Sequence, residues 1–357
     1  MLKDKIRGSL MAGADGDAIG YVVEFSNRKS ILKKYGAGGI TKFALDKGSY
    51  LEEGTGKANI SDDTQMTLFT ANGLLNAVKN GETIKYAIAS AYVEWLYTQG
   101  YKKKKGKNKC WLSNIERMHN TRAPGNTCLT ALAAIVNGRD TVNSSKGCGG
   151  IMRVAPVGLY GIVGNRMSAE EVAQLAADAA EITHQHPLGF LPASLLAALV
   201  YKVAPLAPEQ VKENVETIVG EVLDLLDEIC KGEYEVSKND LRQLSKKAVN
   251  LANSNIPSDE AITQLGEGWT GEEAWAISLY CVLKHLDSVE DAIIAAVNHD
   301  GDSDSTGSIT GNIMGAIYGY EHLRRCNLFA PEGYTFEQVL ELSDVILAMA
   351  DELALSH

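Results

Sequence analysis

Several classes of protein are excluded by what this sequence lacks. None of its six cysteines forms a CxxC pair, and a chain of 357 residues does not depend on a disulfide framework. No apolar run approaches the roughly 18 residues needed to cross a membrane. The N-terminal MLKDKIRGSL carries charges where a signal peptide needs an apolar stretch. We therefore expect a cytoplasmic protein in a reducing compartment, with no membrane partner.

Positive charge is also scarce. The 34 lysines and arginines are outnumbered by 45 aspartates and glutamates, which leaves a formal net charge of -11. Tight binding to a phosphate backbone needs clustered basic side chains, so nucleic acid is not expected as a partner. The basic run at residues 102–109 (KKKKGKNK) is short, and we interpret it as a solvated loop in preference to a patch that steers polyphosphates.

Strand-like alternation is rare, whereas helical periodicity covers most of the chain. It is clearest in residues 67–78, 169–181, 192–203 and 209–230. Residues 35–60 and 99–125 are irregular and polar or glycine-rich, which is typical of long functional loops. We predict an all-α fold in which residues 1–357 form a single domain, with peripheral helices in residues 205–260, and we expect a monomer.

Small residues recur at every fourth position in two segments. One set is Gly8, Ala12, Gly16 and Gly20, and the other is Gly307, Gly311, Gly315 and Gly319. Residues four apart share one face of a helix, and small side chains let a second backbone approach that face. The spacing predicts a tightly packed helix pair in the core, which would bring the loops at the helix ends together.

Two acidic clusters open helical segments. They are Ser61-Asp62-Asp63-Thr64 and the stretch from Asp300 to Thr306, DGDSDST. Capping of helix N-termini explains one acid per helix. It does not explain two adjacent aspartates together with three alternate ones, because like charges repel unless a cation offsets them. Carboxylate and hydroxyl oxygens suit Mg²⁺, Mn²⁺ or Ca²⁺ rather than zinc.

An EF-hand is the obvious calcium-binding alternative for the second cluster. Asp300, Asp302 and Asp304 fall on loop positions 1, 3 and 5. However, Ser305 replaces the turn glycine at position 6, and Gly311 replaces the bidentate glutamate at position 12. The pattern therefore disfavours an EF-hand and leaves a site shared between the two clusters.

Taken together, these and further segments resemble a known family, the ADP-ribosylglycohydrolases. This family includes the dinitrogenase reductase-activating glycohydrolase and the ADP-ribosylarginine hydrolases. Each matching segment is weak alone, but together they run in the family's order along nearly the whole chain. They are GDAIGYVVEF (16–25), SDDT (61–64), RAPGNTCLTAL (122–132), SKGCGGIMRVAPVGL (145–159), THQHPLGF (183–190), GEGWTGEEA (266–274) and GDSDSTGSITGNIMGA (301–316).

The resemblance implies a compact orthogonal multi-helix bundle with a binuclear metal site, two Mg²⁺ or Mn²⁺, in a central cleft. By position, the metal ligands would be Ser61, Asp62, Asp63, Asp302, Asp304 and Ser305. Asp62 and Asp63 would also act in catalysis, together with Glu24, which is similar to a family glutamate on a mobile flap. Asp300 lies outside the matched GDSDS and is expected to cap a helix or support the ligands.

The resemblance also implies where the substrate binds. The expected substrate-binding residues lie in two glycine-bearing turns and one histidine: Gly125, Asn126, Thr127, Ser145, Lys146, Gly147, Cys148, Gly149 and His184. Backbone N–H groups in such turns are suited to a diphosphate. His184 and His186 lack the further ligands of a zinc site. Trp269 precedes a helix and is interpreted as a lid on the core, outside the site.

The function implied by the resemblance is metal-dependent hydrolysis of the bond between ADP-ribose and an arginine guanidinium on a protein. Two alternatives remain open at this point. The first is cleavage of an O-linked conjugate, ADP-ribosylserine or O-acetyl-ADP-ribose. The second is a non-catalytic protein that only binds ADP-ribose.

Overall fold

A computed structural model describes residues 1–48, 54–102 and 107–356 of the chain. Half of the lysine-rich run predicted as a solvated loop, residues 103–106, lies outside the described residues. Residues 49–53 of the predicted glycine-rich loop also lie outside them.

The described residues form seventeen α-helices, four 3-10 helices and no strand, so the all-α prediction is confirmed. In chain order the α-helices are α1 (Leu2–Tyr21), α2 (Arg28–Tyr35), α3 (Asp62–Asn80), α4 (Ile84–Thr98), α5 (Asn126–Val136), α6 (Ala155–Ile162), α7 (Ala169–Glu181), α8 (Pro187–Val203), α9 (Pro208–Cys230), α10 (Glu235–Ala252), α11 (Ser258–Leu265), α12 (Gly271–Lys284), α13 (Val289–Val297), α14 (Ser303–Tyr318), α15 (Tyr320–Cys326), α16 (Phe336–Val339) and α17 (Ser343–Leu355). The 3-10 helices are Trp111–Asn114, Glu116–His119, Cys148–Gly150 and Val163–Asn165.

Helices α1 and α14 form the predicted tight pair. A Cβ atom at Gly16 would lie 2.1 Å from the carbonyl oxygen of Gly307, and one at Gly311 would lie 2.0 Å from that of Ala12. The pair is antiparallel, since Gly8 faces Gly315 near one end. The C-terminal end of α1 therefore lies beside the N-terminal end of α14.

The core surrounds this pair, and its largest buried side chains include Trp95 and Trp275. Helix α9 packs against α8, and α10 packs against α8 and α12, through apolar side chains on one face, while much of their remaining surface is exposed. Across the described residues, no helix is both long enough and apolar enough to cross a membrane.

Candidate metal centre and ligand cleft

The α1–α14 pair brings three carboxylates together. Glu24 follows the end of α1, Asp302 caps the start of α14, and Asp304 lies in the first turn of α14. One oxygen from each of the three carboxylates lies within 4.8 Å of the other two. All three side chains are buried, with exposed fractions of 9%, 4% and 3% in chain order. Such a group of oxygen atoms could hold a metal ion.

The start of α3 lies on the same cavity, because Asp62 and Asp63 line it together with Glu24, Asp302 and Asp304. The two predicted acidic clusters, which are far apart in the sequence, therefore meet. Around them the cavity has a volume of about 220 Å³.

Asp17 holds the start of α3 in place, a role that the sequence analysis did not assign to it. Its buried carboxylate accepts hydrogen bonds from the backbone N–H groups of Ser61 (2.9 Å) and Thr64 (3.1 Å) and from the Thr64 hydroxyl. Burial raises the pKa of Asp17 to about 6. In the sequence, Asp17 is indicated as a candidate site residue only by its place in the segment GDAIGYVVEF.

Burial dominates the electrostatics of the cluster. It raises the pKa of Asp62 to about 8, and the charges of Asp17 and Asp302 act in the same direction. Burial, with Asp302 and Asp62 nearby, also raises the pKa of Glu24 to about 8. The pKa values of Asp63 and Asp304 lie well above the usual range for the same reason.

Two oxygens of the cluster, Oδ2 of Asp63 and Oε2 of Glu24, are buried and have no hydrogen-bond partner among the described residues. A buried carboxylate oxygen without a donor is costly unless it is protonated or binds a cation. Oxygen donors of this type are those that Mg²⁺, Mn²⁺ and Ca²⁺ prefer. The residues present therefore fit a hard dication.

Helix capping accounts for part of each cluster. Ser61 caps α3, since its hydroxyl accepts from the N–H of Asp63 at 3.1 Å. Asp302 caps α14 by accepting from the N–H of Ser305 at 3.3 Å. Ser305 lines the cavity, whereas Ser61 lies behind its wall. Asp300 does not line the cavity and instead accepts from the backbone N–H of Arg28 at the start of α2 (2.6 Å).

Most of the predicted substrate-binding residues line the same cavity. These are Gly125, Asn126, Thr127, Gly147, Cys148, Gly149 and His184. The first turn is joined to the acidic side, because the N–H of Gly125 donates to Oδ2 of Asp62 at 3.2 Å. Gly125 also opens α5, whose N-terminal N–H groups can receive an anion. The cavity therefore combines carboxylate oxygens with backbone N–H groups suited to phosphate.

Two predicted substrate-binding residues do not line the cavity. Ser145 supports the second turn, since its hydroxyl accepts from the N–H of Gly147 and pairs with the hydroxyl of Thr127, each at 3.2 Å. Lys146 points to Glu272, 3.8 Å away.

The thiol of Cys148 donates to Oδ2 of Asp302 at 2.7 Å, a contact that the sequence did not predict.

The interpretation of Trp269 as a lid on the core was wrong. Trp269 lines the cavity, has an exposed fraction of 38%, and stacks on Phe25 with ring centroids 5.9 Å apart. The loop before α12 carries it to the mouth of the cavity instead of into the core.

The cavity is also lined by three residues that nothing in their sequence context distinguished, Ala123, Cys128 and Met152. His186 caps α8, since its Nδ1 accepts from the N–H of Leu188.

Comparison with known proteins agrees with this architecture. A family model described as ADP-ribosylglycohydrolase matches residues 1–356. The chain is 24% identical to ADP-ribosylhydrolase ARH3 of Mus musculus over 95% of this chain and 90% of the relative. It is 24% identical to the ADP-ribosyl-[dinitrogen reductase] glycohydrolase of Rhodospirillum rubrum over 97% of both chains. It is also 24% identical to ADP-ribosylarginine hydrolase Tri1 of Serratia proteamaculans, over 90% of this chain and 73% of the relative.

The fold is similar to that of a solved structure described as an ADP-ribosylglycohydrolase-related protein complex. The TM-score is 0.61 at 21% identity, and the alignment covers 99% of this chain and 98% of the other.

Proposed function

Because the chain belongs to the ADP-ribosylglycohydrolase family, we propose that it is a metal-dependent hydrolase that removes ADP-ribose from modified arginine side chains of proteins. One observation carries the proposal. Acidic side chains from three separate segments, the residues after α1 and the starts of α3 and α14, line one cavity together with two glycine-bearing turns.

The acidic side of the cavity would hold two Mg²⁺ or Mn²⁺ ions. The buried oxygens of Asp63 and Glu24 that lack donors support this assignment. When bound, the dications would polarise the ribose and lower the pKa of a coordinated water molecule. We assign as ligands Asp62, Asp63, Asp302, Asp304 and Ser305, which line the cavity, and leave out Ser61, whose hydroxyl caps α3.

The remaining residues would bind the ADP-ribose and move protons. Backbone N–H groups at Gly125–Thr127 and Gly147–Gly149 would hold the diphosphate, and His184 would contact a phosphate or ribose oxygen. In the hydrolysis, the bond between C1″ and the guanidine nitrogen breaks and a bond from C1″ to a water oxygen forms. The carboxyl group of Asp62 or Asp63, assisted by Glu24, would accept a proton from that water, and the departing nitrogen would take one up.

The arginine linkage is the finer part of the proposal. One relative, from Serratia proteamaculans, is named an ADP-ribosylarginine hydrolase, and the hydroxyl-bearing positions Ser61 and Ser305 within SDDT and GDSDST resemble the arginine-directed members of the family. A single cavity of this chemistry could also accept an O-linked conjugate.

A product assay on defined conjugates tests the function. Purified protein would be incubated with arginine-linked and with serine-linked ADP-ribose, each with Mg²⁺ and with chelator, and the release of ADP-ribose followed over time. We expect release from the arginine conjugate that stops when the metal is removed. Release from the serine conjugate alone would make the arginine assignment wrong. Tight binding of ADP-ribose without turnover of either conjugate would instead identify a binding protein.

A further inference from the structure

Arg153 is a fully buried cation that no carboxylate partners within the described residues. Its guanidinium lies over the ring of Tyr92, 4.2 Å from the centroid. Nη2 donates to the carbonyl of Ala179 (3.1 Å) and to the hydroxyl of Thr183 (2.7 Å). Burying a charge without an opposite charge is costly. The position therefore calls for a role beyond packing.

Because the Thr183 hydroxyl oxygen accepts the hydrogen bond from Arg153, the hydroxyl must donate its own proton to another acceptor. Three acceptors are in reach: Nδ1 of His184 at 2.8 Å, the carbonyl of Ala180 at 3.4 Å, and the sulfur of Cys128, which is only a weak acceptor. That carbonyl already accepts from the N–H groups of Thr183 (3.1 Å) and His184 (3.0 Å). A carbonyl oxygen has two lone pairs. The hydroxyl therefore donates to Nδ1 of His184.

A neutral imidazole that accepts at Nδ1 carries its proton on Nε2. Nε2 is the nitrogen that faces the second turn, since a Cβ atom at Gly147 or Gly149 would lie 3.2 Å from it. His184 itself lines the cavity. Burial, with the positive charge of Arg153 nearby, lowers the pKa of His184 to about 3, so the ring stays neutral at physiological pH.

We infer that Arg153 and Thr183 are positioning residues that hold His184 in its neutral Nε2–H tautomer, so that the ring donates a hydrogen bond to a phosphate or ribose oxygen in the cavity. With a phosphate oxygen, which only accepts, the opposite tautomer would leave two acceptors facing each other. The identity of the ligand rests on the proposed function, whereas the tautomer does not.

Imidazole ¹⁵N spectra of the protein without ligand test the tautomer directly. Histidine-labelled protein would be recorded as wild type, and His184→Gln would assign the signal among the seven histidines. We expect the Nε2–H pattern in the wild type and in Thr183→Ser, which keeps the hydroxyl. Thr183→Val, which removes it, should shift the ring toward Nδ1–H. An Nδ1–H pattern in the wild type, or an unchanged ring in Thr183→Val, would overturn the inference.

Calorimetric titration with ADP-ribose tests the use of the tautomer. Thr183→Val should weaken binding by about tenfold, the effect of one lost hydrogen bond, while Thr183→Ser stays close to wild type. Thr310→Val is the matched control, because the buried Thr310 hydroxyl has no hydrogen-bond partner. Equal affinity in Thr183→Val and wild type would refute the donor role. If wild type does not bind ADP-ribose at all, the proposed function fails, and the spectra still decide the tautomer.

Discussion

Buried carboxylates dominate the site at the residue scale. The oxygens of Glu24, Asp302 and Asp304 are close enough to share an ion, and Asp62 and Asp63 line the same cavity. Neighbouring Asp300 is exposed and accepts a hydrogen bond from the first backbone N–H of α2. Position in the fold, and not the type of side chain, therefore separates the buried candidate ligands from Asp300.

Asp304→Asn should abolish or strongly weaken metal-dependent release of ADP-ribose. Loss of a direct ligand is expected to exceed the roughly 10–100-fold loss seen when a residue that merely supports a ligand is changed. Turnover at saturating Mg²⁺ is the measurement, with circular dichroism to confirm that the helices remain. Asp300→Asn is the control, with turnover close to wild type. Wild-type turnover in Asp304→Asn at saturating Mg²⁺ would remove Asp304 from the ligand set.

The metal-free protein should lose stability as the pH rises from about 4 to about 8. In the unfolded chain Asp and Glu titrate near pH 4, whereas in the folded protein the pKa values of Asp62 and Glu24 are raised to about 8. Between these values the folded state holds more protons, so the free energy of unfolding falls with pH.

Melting temperatures in chelator across this range would measure the effect. Asp62→Asn removes one of the titrating groups, so it should flatten the decline and make the metal-free protein more stable near pH 8. A decline of the same slope in Asp62→Asn and wild type would show that other groups cause it.

At the scale of elements, the α1–α14 pair is the part of the fold that most depends on side-chain size. Carbonyl oxygens of one helix occupy the space that a Cβ atom would need on the other. Because Asp302 and Asp304 lie at the start of α14, a change in the separation of the two helices also moves the site.

Gly311→Ala should destabilise the protein by about 3 kcal/mol or more, because its Cβ atom would lie 2.0 Å from the carbonyl of Ala12 and the helices must separate. Gly220→Ala is the matched control in α9, where a Cβ atom meets nothing within 4 Å. There the change should stabilise by about 0.4–1 kcal/mol. Urea unfolding measures both. Equal effects of the two substitutions would contradict the close packing of α1 on α14.

At the scale of the whole molecule, a bound dication would tie together three segments that are distant in the sequence. A ligand that binds only the folded state stabilises it by about 2.7 kcal/mol at 100 times its Kd. Mg²⁺ or Mn²⁺ should therefore raise the melting temperature at pH 8, and chelator should reverse the rise. The control is a monovalent salt at the same ionic strength. A rise of equal size in that salt, or in Asp62→Asn, would show that the cavity is not the metal site.

Much of the architecture was predictable because its signals are local. Helical periodicity predicted the all-α fold, and the four-residue spacing of small residues predicted the partnership of α1 with α14. The acid-rich turns at Asp62 and Asp302 predicted that two helix starts would share a site. The sequence did not predict the roles of Asp17, Trp269, Arg153 and Thr183. Neither a buried polar contact nor a position in a cavity wall produces a periodic pattern in the sequence.

The sequence by itself determined which residues can form helices, which helix faces can approach closely, and which side chains could act as hard-metal ligands. These properties depend on neighbours within about one or two helical turns. Only the tertiary structure decided that Glu24, Asp62 and Asp302 lie on one cavity, that Asp17 anchors α3, and that the Thr183 hydroxyl lies 2.8 Å from Nδ1 of His184. Those arrangements depend on packing between segments tens to hundreds of residues apart, where position in space and burial set the role of each side chain.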